Sequence, residues 1–180
     1  MRPSARRHLL FWSVALLGLL LDQAGKFAVF SRFDVDASEV APAVPGVFGF
    51  LCHYNYGALW GLGEGHTIAL VAVSFAAMGV ILWLFVSARP PRRITDIALA
   101  VMMAGAMGNQ IDRLAFGCVR DFIKLSFWET YPVFNVADSW LVIGVGLMLV
   151  SLATGGREEP KPETPASRRS RPTPSGRPKA

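Results

Sequence analysis

Two aspartates, Asp121 in the stretch VRDF and Asp138 in FNVAD, are the side chains best suited in this sequence to activating a water. Carboxylates a few ångströms apart resist joint ionisation, so one keeps a proton while the other accepts one from water, and the two titrate as a unit. Such a pair can hydrolyse a peptide without a metal. Other devices leave different residues behind. A zinc peptidase wants HExxH or a similar ligand set, whereas the three histidines, His8, His53 and His66, are scattered. A nucleophilic serine needs a base at its own depth; Ser13, Ser74 and Ser139 have no histidine so placed, which leaves Lys26 as the base a serine could use.

Further polar residues gather at helical spacing. Asp22 and Lys26 stand at i and i+4, and GNQIDR places Asn109, Asp112 and Arg113 on one helical face. Taken singly, each has a plain structural account. Asn135 can cap a helix with Asp138 in its first turn. Asp22 with Lys26, and Asp112 with Arg113, can be ion pairs that fix helix packing. Asn55 in NYGALW can make a turn with Gly57.

The elements that must position these groups are membrane spans. With 52% hydrophobic and 17% charged residues and a mean hydropathy of +0.38, the chain is too apolar for an ordinary soluble domain. Four apolar runs, 9–30, 67–88, 94–116 and 136–154, are long enough to cross a bilayer. The first follows Arg2, Arg6 and Arg7 as a secretory signal would, but it lacks an A-x-A-like site and continues past Asp22 and Lys26, so it reads as a span of the mature protein.

Basic residues favour the cytoplasmic side. Arg2, Arg6 and Arg7 precede span one, Arg89, Arg92 and Arg93 separate spans two and three, and Arg157 and Lys161 follow span four. Both termini are therefore expected inside, with loops 31–66 and 117–135 outside. Aromatic, β-branched and glycine residues in VPGVFGFLCHYNYGALWGLGEG suggest short strands in the first outer loop. Residues 155–180, rich in Pro, Arg and Ser, read as a disordered cytoplasmic tail. The net charge of +5 owes much to that tail and speaks for topology, not for nucleic-acid binding. Cys52 and Cys118 form no metal or redox motif; two free thiols are expected, a disulfide between outer loops being the alternative.

This topology brings the ionisable groups of three spans to one depth, near the outer leaflet. Groups inside a membrane are tolerated when they face one another or a wet cavity, so their convergence points to a functional site. A small transporter or proton-coupled channel would instead spread polar positions across the membrane. An assembly factor would use them only as ion pairs.

DQAGK, NYGALW, GNQIDR, VRDF and FNVAD, in this order on four spans, resemble lipoprotein signal peptidase, the bacterial signal peptidase II family. The resemblance covers about 9–154. It implies an α-helical membrane protein of four transmembrane helices with a small β-rich outer loop region, acting as an intramembrane aspartic endopeptidase of the bacterial inner membrane. Its implied substrates are prolipoproteins, cut just before the diacylglyceryl-modified cysteine; its other partners are membrane lipids, and it needs no metal or organic cofactor and is expected to be a monomer. Asp121 and Asp138 match the catalytic aspartates. Asn55, Gly57, Asn109, Asp112, Arg113 and Asn135 match binding or supporting positions, and Asp22 and Lys26 match the first-helix pair. Leu59 and Trp60 depart from the family's small-residue-then-Phe pattern, and the basic tail exceeds a minimal member.

Overall fold

Apolar residues on every side make four of the chain's runs into helices with outward-facing side chains such as Leu17, Ile68, Val142 and Leu152, each more than half exposed. Such surfaces suit a hydrocarbon solvent and would be a liability in water. The computed structural model describes residues 4–36, 39–58, 62–87 and 92–155. The helices are α1 (Ala5–Phe30), α2 (Thr67–Ser87), α3 (Arg93–Phe116) and α4 (Val136–Gly155), all long and apolar enough to span a membrane. The expected basic tail beyond 155, like Leu59 and Trp60, lies outside the described residues.

The most apolar stretch of α3 is 67% buried, against 33%, 11% and 17% for α1, α2 and α4. It is the central helix, packed on the other three, and the one where polar side chains find protein instead of lipid. Small residues let its neighbours close in. A Cβ on Gly105 would collide with the Ala137 carbonyl of α4, and one on Gly108 would lie 2.5 Å from the Asp22 carboxylate of α1.

At one end of the bundle, Arg7 of α1 meets Asp96 in the first turn of α3 at 2.6 Å. Beside it, Arg92 donates to the Ser151 and Thr154 carbonyls at the end of α4, at 2.6 and 3.2 Å. Basic residues from two of the three expected cytoplasmic groups thus share one end. Phe11, Phe85, Leu99 and Met103 fill the adjoining interior.

The opposite end carries an antiparallel sheet in the order β1 (Ala41–Val44), β2 (Phe48–Asn55), β3 (Val119–Leu125). Gly46, at φ 75°, makes the turn between the first two. The first two strands come from the loop expected to form them; the third, VRDFIKL, comes from the α3–α4 connection, where the sequence pattern predicts none. Val29, Cys52 and Phe122 pack the sheet onto the end of α1. Cys52 and Cys118 are free and buried, and burial pushes both thiols above their ordinary values.

Candidate active site

The start of α4 organises the site. Asn135 is its N-cap: its Oδ1 accepts the Asp138 N–H at 2.9 Å, and its own N–H donates to Asp138 Oδ2 at 3.1 Å. This reciprocal pairing satisfies one of the helix's orphan N–H groups and fixes the Asp138 rotamer. The capping account and the site account of these residues are therefore one arrangement. Asn135, fully buried, spends its two amide hydrogens on Asn109 Oδ1 at 3.0 Å and Asp121 Oδ1 at 2.6 Å.

Asp121 comes from β3 and is 1% exposed. Its second oxygen accepts from Asn55 Nδ2 at 2.9 Å. Asn55 is itself held by a local turn, its Oδ1 accepting the Gly57 N–H at 2.9 Å. Burial, and then the Asp138 charge, push Asp121 from 3.8 to about 7, against the amide donors of Asn55 and Asn135 and the charge of Lys26. At neutral pH this carboxyl is poised between acid and base.

Asp138 Oδ1 accepts from Asn109 Nδ2 at 2.7 Å. The Asn109 amide is oriented from behind, its Oδ1 accepting from Lys26 Nζ at 3.2 Å. Lys26 is wholly buried between Asp22, at 2.9 Å, and Asp112, at 3.2 Å. Asp22 also accepts the Ala137 N–H at 2.8 Å, placing a carboxylate on the N-terminus of α4, where the helix dipole favours it.

Asp112 does not pair with Arg113 as its spacing suggested. Its partners are Lys26 and Arg120, the latter through Nη2 at 2.8 Å and the backbone N–H at 2.9 Å. Consecutive helical residues point about 100° apart. Arg113 accordingly turns to the cavity and donates to the Gly57 carbonyl at 3.2 Å. Arg120 and Gln23, which donates to Asp22 at 3.0 Å, complete the buried network and were not singled out from sequence. Strand alternation is the signal that could have found Arg120, since Asp121 beside it faces the other way.

Part of this network borders one cavity of about 370 Å³, with the Asp22–Lys26–Asp112 cluster behind it. Asn55, Asn109, Arg113, Asp121 and Asp138 supply its polar side. Val73 and Ala77 of α2, Ala106 of α3 and Leu141 and Val142 of α4 supply an apolar side at membrane depth. The arrangement can hold a water between two carboxyl groups while an extended chain lies beside an apolar anchor. Between Asp96 and Asn109, by contrast, α3 carries only apolar residues and glycine, and Phe11, Phe85 and Met103 close the interior around it. The polar residues of α3 are thus gathered at its two ends instead of spread along the span.

Comparison with known proteins agrees. The family model described as signal peptidase (SPase) II matches residues 14–154. A lipoprotein signal peptidase of Chromobacterium violaceum is 37% identical over 153 residues, 82% of this chain and 93% of that protein. One from Shouchella clausii is 37% identical over 146 residues, 81% and 94%. A solved bacterial membrane enzyme superposes with a TM-score of 0.75 at 28% identity, covering 82% of this chain and 91% of its own.

Proposed function

This chain belongs to the signal peptidase II family and is an aspartic peptidase of that family, and from that premise we propose that it removes signal peptides from prolipoproteins by cutting just before a diacylglyceryl-modified cysteine. Asp121 and Asp138 are its catalytic pair. The observation that carries this reading is Asn135, which holds both carboxyl groups at the edge of one cavity through direct hydrogen bonds.

In the resting enzyme the shared proton resides on Asp121. Asp138 takes a proton from water as its oxygen bonds to the scissile carbonyl carbon, and the carbonyl oxygen takes the proton of Asp121. On collapse the Asp138 proton passes to the leaving nitrogen, the C–N bond breaks, and a hydroxyl proton of the intermediate returns to Asp121. Acid and amine products balance the water consumed. Asn55, Asn109 and Asn135 orient the two carboxyl groups, and Arg113 holds the turn at Gly57 over the cavity. Asp22, Lys26 and Asp112 support them from behind.

Lipid on the substrate cysteine would lie along Val73, Ala77, Leu141 and Val142, so that binding energy from the acyl chains positions the bond. The bacterial inner membrane is the proposed setting. Both termini face the cytoplasm, and the sheet end lies at the outer leaflet. A monomer is the proposed working form.

The test is mass spectrometry of a diacylglyceryl-modified prolipoprotein incubated with the purified protein. The expected product begins at the lipidated cysteine. An intact substrate, or a cut elsewhere, overturns the reading.

A further inference from the structure

The catalytic cavity does not end at the carboxyl groups. Asn55, Tyr131, Pro132 and Val133 line it on one side and a second, outer cleft of about 640 Å³ on the other. The outer cleft is polar where the inner one is apolar: Asp36, His53, Glu64, Lys124 and Thr130 face it. It lies at the sheet end, away from the lipid-facing helix surfaces. A substrate anchored by lipid in the inner cavity has its polar chain leaving in this direction.

The charge of the cleft is not balanced. Asp36 is exposed and adopts φ 53°, unusual for a residue with a side chain; its Oδ1 lies 2.8 Å from His53 Nδ1 of β2. Glu64 is likewise exposed, between Gly63 and Gly65 at φ 76° and 80°. The Lys124 ammonium, the opposing charge, is engaged by the Glu129 and Tyr131 carbonyls at 2.6 Å each, which fixes the wall of the cleft. The same end also carries Asp34, Glu39 and Glu129 against Arg32, Arg113 and Arg120, of which Arg120 is held by Asp112. Two exposed carboxylates, Glu64 and the Asp36 shared with His53, thus border the cleft against the single ammonium of Lys124.

We propose that the outer cleft is a subsite for the polypeptide immediately following the cleaved bond, and that Asp36 and Glu64 make it favour segments bearing Lys or Arg over segments bearing Asp or Glu. This rests on the peptidase reading and adds a specificity to it. The residues act on binding of the downstream chain, not on the chemistry at the carbonyl.

The experiment uses the full-length protein in detergent at low ionic strength, with three prolipoproteins sharing one signal peptide and lipidated cysteine. The four residues after the cysteine carry two lysines, no charge, or two glutamates. The lysine substrate is expected to exceed the glutamate substrate in kcat/KM by roughly three- to tenfold, the size two exposed charge pairs give, and the ratio should shrink with added salt. It should fall towards one in Asp36→Asn/Glu64→Gln and invert in Asp36→Lys/Glu64→Lys. A ratio within one preparation is independent of how much enzyme is folded. If the wild type cleaves all three equally, or the ratio survives in both double variants, the subsite is wrong while the peptidase reading stands. If none of the three is cleaved, the peptidase reading falls and takes the subsite with it.

Discussion

Asp22, near the end of the first helix, accepts the backbone N–H of Ala137 in the first turn of the fourth at 2.8 Å. This bond ties the ion-pair network directly to the turn that presents Asp138. Replacing Asp22 by Ala leaves that N–H without its acceptor and Lys26 with Asp112 alone among carboxylates. Breaking a buried pair costs about 3–5 kcal/mol. Asp22→Ala should therefore lower thermal stability markedly, with activity falling alongside, in a thermal melt paired with a cleavage assay.

The two adjacent positions Asp112 and Arg113 serve different ends, which separates Arg113 from Arg120 experimentally. Arg120 is bound to Asp112, so Arg120→Met should destabilise by about 2 kcal/mol. Arg113 faces the cavity, so Arg113→Met should leave the melt nearly unchanged and reduce kcat/KM at least tenfold. Denaturation and kinetics on the two variants check this, and equal behaviour would contradict it.

Asp121 ordinarily ionises near 3.8 but keeps its proton to about 7 in the fold, chiefly through burial. Between those values the folded state binds more protons than the unfolded one. Stability contributed by this group is present at low pH and is lost as pH rises from about 4 to about 7, levelling above. Denaturation at a series of pH values should show this slope in the wild type and a shallower one in Asp121→Asn. The same proton should give kcat/KM an alkaline limb near 7.

Gly105 of α3 packs directly against the Ala137 carbonyl of α4, just before Asp138. Gly105→Val must push the start of α4 outward. Overpacking of this kind costs about 1–3 kcal/mol. Activity should fall further than the stability loss alone explains, because the displaced turn carries Asp138, one of the two proposed catalytic aspartates. Melting and kcat measured together test it.

Much of the architecture was legible because lipid-facing helices are apolar all round. The spans at 67, 94 and 136 begin within a residue of the helices found. α1 begins earlier than its apolar run, at Ala5, because Ser4 caps it and Arg7 is tied to Asp96. The convergence of Asp22, Lys26, Asn109, Asp112, Asp121, Asn135 and Asp138 followed from depth alone. Depth could not choose partners: side-chain direction gave Asp112 to Arg120 instead of Arg113. The strand β3 was hidden because its faces both mix polar and apolar residues, Arg120 and Phe122 on one, Asp121 and Ile123 on the other. The outer cleft depends on Lys124 reaching two backbone carbonyls, a contact no residue pattern encodes.

The most direct test of the account is cleavage of a diacylglyceryl-modified prolipoprotein by wild type, Asp121→Asn and Asp138→Asn, each verified as folded by its melting transition. The account predicts release of the signal peptide by wild type and loss of at least a thousandfold in both variants, since each carboxyl group carries a proton that no neighbour can replace. A folded variant that retains near-wild-type activity would contradict the two-aspartate site.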